Sequence, residues 1–257
     1  MVAMSRDPES RTVLVTGATA GIGAACADAF LAAGARVVAT GRRADRLAEL
    51  AARHPGRVHP LALDVRDRAA TERSLSTLPA GFADVDVLVN SAGLALGLEP
   101  AQRASVDDWD QMIETNCAGL VTVTRAILPG MIARGRGHVV NLGSVAAGYP
   151  YPGGNVYGAT KAFVRQFTLN LRADLLGTPV RATVIEPGMT ETEFSLVRFG
   201  GDAGRAGQVY QGMQPLTAAD IAEAIVWCTG LPAHVNVNVI ELMPVAQAFS
   251  PFAVKRE

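Results

Sequence analysis

A tyrosine and a lysine four residues apart, Tyr157 and Lys161 in the run YGATK, are a pair able to move a proton together. At i, i+4 their side chains share one face of a helix. A free phenol, with a pKa of about 10, is a poor base near neutrality, and a neighbouring ammonium favours its phenolate. Tyr157 can then exchange the proton of a substrate hydroxyl. Upstream, Ser144 follows the apolar run HVVNL and Gly143, at a strand end where a hydroxyl can donate to a carbonyl oxygen as negative charge grows on it. Tyr-x3-Lys alone is common, and an ordinary surface pair is its bland explanation. Its weight comes from what accompanies it.

The first companion is TGATAGIG, which places Gly17, Gly21 and Gly23, with Thr19, Ala20 and Ile22 between them, in a turn that opens a helix. Glycines allow close backbone approach, and helical N–H groups at the positive end of the dipole can hold a pyrophosphate. The second is TGRR after the second apolar run. A carboxylate there would accept bonds from the ribose hydroxyls of NAD. Arg42 and Arg43 instead offer cationic forks for the 2′-phosphate of NADP. Cations at a helix start oppose the dipole, which favours a functional reason over a merely solvated pair.

These residues need a frame. Short β-branched runs at 12–16, 36–40, 58–63, 85–90, 138–142, 180–186 and 235–242 alternate with Ala/Leu-rich helical patterns at 22–33, 44–53, 68–77, 107–132, 157–176 and 218–230. The alternation predicts a doubly wound α/β fold, a seven-stranded parallel sheet with helices on both faces. Runs such as VLVN show little polar alternation, as strands buried on both sides should. Ligands in such sheets bind beyond the strand carboxyl ends, which draws attention to Gly17, Gly41, Asp64, Ser91, Gly143 and Pro187. One domain is expected over 1–257, with 1–10 as a flexible tail and the irregular stretch 189–215 as a substrate-binding loop.

Composition narrows the partners. A formal net charge of −1 gives no positive field to attract nucleic acid or anionic lipid. The start MVAMSRDPES reads as no signal peptide, and no run is expected to supply the ~20 apolar residues of a membrane span. A cytoplasmic protein acting on small molecules is the expectation. Cys26, Cys117 and Cys228 read as buried free thiols, and the scattered His54, His59, His138 and His234 make no metal site.

In this order, TGxxxGIG, NSAG, a strand-end serine and YGATK resemble the short-chain dehydrogenase/reductase family, a Rossmann-like fold. The resemblance implies that Asp64 and Val65 in LALDV meet the adenine, and that Asn90, Ala92 and Gly93 of NSAG support the cofactor and the central sheet. It implies Asn116, in IETNCAGL, as a fourth catalytic residue that holds a water linking Lys161 to solvent; a helix-kink asparagine is the bland alternative. It also implies that Pro187, Gly188, Met189 and either Thr190 or Thr192 of PGMTET orient the nicotinamide. Over nearly the whole chain after residue 11, the likeness is to the NADP-dependent 3-hydroxy acid dehydrogenases that oxidise serine and allo-threonine. It implies a homotetramer built through the long helices and the last strand, and the apolar tail MPVAQAFSPFAVKRE is expected to dock on a neighbouring subunit.

A hydroxy-acid substrate brings a carboxylate that needs a partner. Arg198 and Arg205 are candidates in the long loop, with Tyr149, Tyr151 and Asn155 on the opposite wall. Two other readings share the scaffold. One is a broad carbonyl reductase of apolar ketones and aldehydes, separated only by its pocket. The other is a non-catalytic NADP sensor, against which the presence of both Tyr157 and Lys161 argues.

Overall fold

The structure, a computed structural model, describes residues 11–248. The stretches 1–10 and 249–257, which include the expected N-terminal tail and the end of the apolar C-terminal segment, lie outside the described residues. The chain runs β1 (Thr12–Thr16), α1 (Gly21–Ala32), β2 (Arg36–Gly41), α2 (Ala44–Arg53), β3 (Val58–Ala62), α3 (Arg68–Ser76) and β4 (Val87–Asn90). It continues with α4 (Val106–Ile113), α5 (Leu120–Ala133), β5 (Gly137–Leu142), α6 (Asn155–Asp174) and β6 (Val180–Pro187). Last come β7 (Thr190–Glu191), α7 (Glu193–Arg198), α8 (Ala203–Gln208), β8 (Leu216–Thr217), α9 (Ala218–Gly230) and β9 (Val239–Leu242).

Seven strands form one parallel sheet in the order β3-β2-β1-β4-β5-β6-β9. The winding reverses between β1 and β4, which opens a crevice at their carboxyl ends. Strand alternation sends Val13 and Val15 to the face covered by α1 and α9, beside Phe30, Ile221 and Ile225. It sends Leu14 to the other face, beside Val123, Ile127 and Leu171 of α5 and α6. A fully buried Val or Leu contributes about 1.5–3 kcal/mol, so both faces must be covered, and the near-continuous apolar strands follow from that.

Four local features differ from the pattern read off the sequence. The expected helix 107–132 is two α-helices joined by a π-helical turn, Glu114–Gly119, centred on Asn116. The stretch 187–215 is not irregular throughout: it holds β7, α7 and α8, with Thr192 and Asp202 capping the two helices. The last strand starts at Val239 rather than Val235 because Asn236 bonds Ala182 N and O through its side chain, in place of a backbone ladder. Finally, Val106–Ala133 is, at 28 residues, long and apolar enough by length and composition to cross a membrane. Here it packs against the sheet, and it carries buried Asn116, Thr122 and Thr124.

Cys26 and Cys228 are buried and free, and burial pushes both thiols up to about 12. Cys117 is free but only half-buried. Among the described residues no three His, Cys, Asp or Glu side chains gather as a metal site.

Candidate active site

A cavity of about 1010 Å³ opens along the strand carboxyl ends. Its cofactor end is made by the turn after β1. Gly17 and Gly21 take φ of 70° and 51°, a left-handed backbone that favours glycine. A Cβ on Gly23 would stand 2.3 Å from the Gly17 carbonyl oxygen, so only glycine lets α1 begin this close to its own turn. Ala20 at the N-cap provides no side-chain bond, and the first amides of α1 are left for an anion beside the lining residues Thr19, Ala20, Gly21 and Ile22. The Thr16 hydroxyl accepts from the amides of Ser91 and Ala92, which ties the loop after β4 to this turn.

Arg42 and Arg43 both line the cavity, as do Asp64 and Val65. Their engagements differ. Arg43 donates to Glu193 Oε2 at 2.9 Å and to Thr19 Oγ1 and O. Arg46 reaches the other Glu193 oxygen at 2.8 Å. The two guanidinium groups hold the Glu193 carboxyl below its usual range. Of the expected pair of phosphate forks, Arg43 is therefore shared with a carboxylate on α7, and Arg42 has no such partner among the described residues. Asp64 is held low by Arg66, whose Nη2 lies 2.6 Å away.

At the other end, Ser144, Tyr157 and Lys161 line the cavity together. Ser144 caps a short 3₁₀ turn, Val145–Ala147, its hydroxyl accepting from Ala146 N at 3.1 Å and donating to Pro187 O at 3.5 Å. Lys161 donates from Nζ to the Leu142 carbonyl at 2.8 Å and stands 5.7 Å from the Tyr157 ring centre. Burial pushes the phenol up to about 12, against the lowering influence of Ser144 and Arg198, and pulls the ammonium down to about 8. The expected lowering of Tyr157 by Lys161 is thus not what dominates in the chain alone. Desolvation dominates at both groups and moves their proton affinities apart, from nearly equal ordinary values to about 12 for the phenol and about 8 for the ammonium.

Asn116, Gly23 and Asn90 do not line the cavity. Asn116 accepts from Leu94 N and donates to Leu94 O and Thr160 Oγ1, so it joins the π turn to the loop after β4 and to α6. A Cβ on Gly93 would fall 3.2 Å from Asn116 Oδ1 and 3.6 Å from Lys161 Nζ, and that glycine keeps the two polar groups close. Asn90 Nδ2 is buried against Thr124 and Asn141. All three support the site from behind, because their side chains or Cα atoms are already spent on neighbouring backbone and polar groups.

Over the cavity lie the β6 end and α7. Pro187, Gly188, Met189, Thr190 and Thr192 all line it. Thr190 donates to Gly188 O at 3.1 Å, beside Met189. Thr192 is spent as the cap of α7 and packs on Gly21. The two threonines therefore serve different ends, and Thr190 is the one near Gly188 and Met189. Of the opposite wall, Tyr149 and Tyr151 line the cavity, whereas Asn155 turns away to Glu99 O.

Several lining residues lay outside the sequence expectations. Phe194, Ser195 and Tyr210 close the far wall, with Tyr210 OH bonded to Ser195 Oγ and Thr190 O. The cap signal at Thr192 marked a helix start that could have found the first two. Gln247 places its Oε1 2.8 Å from Met189 N. The described part of the apolar tail includes Met243, Gln247 and Ala248, which line this chain's own cavity. No local pattern announces that contact.

The geometry is a nucleotide-shaped cavity with a Ser–Tyr–Lys cluster at one end and arginines at the other. A model of the family described as short chain dehydrogenase matches residues 11–198. NADP-dependent 3-hydroxy acid dehydrogenase YdfG of Salmonella typhi is 58% identical over 245 residues, 95% of this chain and 99% of that protein. Serine 3-dehydrogenase of Agrobacterium fabrum is 54% identical over 248 residues, 96% of this chain and 99% of that protein. A solved structure, the closed form of serine dehydrogenase complexed with NADP+, superposes with a TM-score of 0.95 at 56% identity, covering 96% of this chain and 100% of that one. Fold, site and sequence agree, and the chain belongs to the short-chain dehydrogenase family.

Proposed function

We propose that the chain is an NADP-dependent dehydrogenase that moves hydride between nicotinamide and the 3-hydroxyl carbon of small 3-hydroxy acids, including β-hydroxy amino acids of the serine type. The observation that carries it is the Ser144–Tyr157–Lys161 cluster at one end of a cavity whose other end holds Arg42 and Arg43. Relatives covering nearly the whole chain and named for NADP, 3-hydroxy acids and serine support the same chemistry.

The residues present fit the cofactor. Gly17, Gly21 and the uncapped start of α1 would take the pyrophosphate, Arg42 and Arg43 the 2′-phosphate, Asp64 and Val65 the adenine, and Gly188, Met189 and Thr190 the nicotinamide side. Bound there, NADP supplies the hydride acceptor or donor. The chain does the rest. Ser144 and Tyr157 hold the substrate oxygen. Tyr157 takes the hydroxyl proton in oxidation and returns it in reduction. Lys161, anchored on Leu142 O, stabilises the phenolate as it forms. Asn116 holds the π turn and Leu94 in place behind them.

The test is NADP reduction at mildly alkaline pH with L-serine, L-allo-threonine, 3-hydroxypropionate and 3-hydroxyisobutyrate. Turnover supports the assignment. Silence across that panel, with simple ketones reduced by NADPH, would replace it with general carbonyl reduction.

Assembly as a homotetramer and residence in the cytoplasm belong to the same proposal. Exposed Ile113, Ile132 and Phe163 on or beside the long helices, and Trp227 on α9, are apolar surface that subunit contact would cover. Light scattering reads the first, and cell fractionation the second.

A further inference from the structure

We propose that Arg198 pairs the carboxylate of the hydroxy-acid substrate and sets the preference for acids over neutral alcohols, an inference that rests on the dehydrogenase function above. Its guanidinium carbon lies 5.2 Å from the Tyr157 ring centre, 5.5 Å from that of Tyr151 and 5.9 Å from that of Phe194. Nη2 donates to the Tyr151 hydroxyl and Nε to Gly97 O. Both acceptors are neutral, and no carboxylate among the described residues pairs with Arg198. A half-buried cation walled by aromatic rings, with no anion of its own, stands ready for one brought by a ligand.

The other cations lining the cavity are accounted for. Arg43 is committed to Glu193, Lys161 to the Leu142 carbonyl, and Arg42 sits near Asp64 at the opposite end. Arg205, the other arginine of this segment, lies 4.7 Å over the Phe199 ring and does not line the cavity. The two candidates left open by sequence are therefore separated by the fold.

Arg198 is also held in place. Gly97 N donates to the Arg198 carbonyl at 3.0 Å while Arg198 Nε donates back to Gly97 O at 3.4 Å, so the end of α7 and the loop after β4 are stitched by a reciprocal pair. Because the guanidinium rests against the ring that carries the reacting phenol, a substrate whose hydroxyl meets Tyr157 and Ser144 has its carboxylate within reach when the two groups are separated by a three-carbon chain. Removing water behind the aromatic wall strengthens a charge-assisted bidentate pair. A neutral alcohol gains none of this.

Steady-state rates decide it. Wild type, Arg198→Ala and Arg198→Lys are compared on a 3-hydroxy acid and on its uncharged amide, with NADP affinity titrated separately by fluorescence. Loss of a charged hydrogen bond, about 1.5–3 kcal/mol, predicts a KM for the acid raised about tenfold to hundredfold in Arg198→Ala. The amide should change by no more than a few fold, and Arg198→Lys should recover part of the preference. If the alanine protein does not bind NADP, Arg198→Gln, which can keep the bond to Gly97, carries the same comparison. An equal loss on acid and amide, or an unchanged KM for the acid, overturns the proposal while the parent function stands. Wild type that oxidises no hydroxy acid but reduces ketones overturns both, and that outcome is visible before any variant is made.

Discussion

The proposed mechanism needs Lys161, whose burial is unfavourable for folding, and Lys161→Met separates the two. Burial lowers its ammonium from 10.5 to about 8. At about 1.36 kcal/mol per pH unit, keeping it protonated in the folded chain at neutral pH costs about 3 kcal/mol. The folded state binds fewer protons than the unfolded between the two values, so wild-type stability rises with pH across that window, and the cost is full below about 8. Methionine removes the charge but leaves the Leu142 carbonyl without the 2.8 Å bond from Nζ. An unsatisfied buried acceptor costs about 1–3 kcal/mol. The variant should then be slightly more stable than wild type near pH 7 and less stable near about pH 10, a swing of about 3 kcal/mol. At roughly 2–4 °C per kcal/mol for a chain of this size, the difference in Tm should move by about 6–12 °C. Thermal melts of the cofactor-free proteins at several pH values measure it, with turnover assayed in parallel and expected to fall about 10²–10⁴-fold. Parallel melting profiles at every pH would show that Lys161 titrates normally, and would refute the argument that burial tunes it.

Tyr157→Phe should lower turnover about 10²–10⁴-fold while NADP affinity stays within a few fold, as titration would show. Because burial holds the phenol up to about 12, wild-type oxidation should climb with pH while reduction persists near neutrality; a flat oxidation profile would contradict this. Replacing Arg42 and Arg43 together by alanine should raise the KM for NADP about tenfold or more and leave that for NAD nearly unchanged. Arg42→Ala should account for most of the effect, since Arg43 is already paired with Glu193 and partly exposed. Gly23→Ala places a methyl 2.3 Å from the Gly17 carbonyl, and loss of NADP binding or of soluble protein is expected; an alanine variant with ordinary NADP affinity would show that the turn can yield.

Much of the site was legible because its parts are short and local. The left-handed Gly17 and Gly21, the tight Gly23 and the shared helical face of Tyr157 and Lys161 each follow from a few neighbouring residues. The seven parallel strands were legible for a related reason: buried strands and amphipathic helices have different periods. Where the pattern failed, a distant partner had overruled it. Asn236 substitutes its side chain for a backbone ladder on Ala182, and the π turn at Asn116 is the shape that lets one asparagine hold Leu94 and Thr160 at once. The helices after Pro187 are too short for a periodic signal, though their caps were visible.

The amino-acid order by itself determined the fold class, the glycine turn, the Ser–Tyr–Lys cluster and the arginine pair after β2, since local spacing and residue type carry those. Only the tertiary structure decided which charges are already spent. Glu193 comes back over Arg43 and Arg46, Asn90 and Asn116 turn inward to neighbouring polar groups, Gln247 bonds Met189, and Arg198 rather than Arg205 meets Tyr157. Those outcomes depend on pairs far apart in the chain, and the energy of a charge is set by its surroundings, which no window of sequence contains.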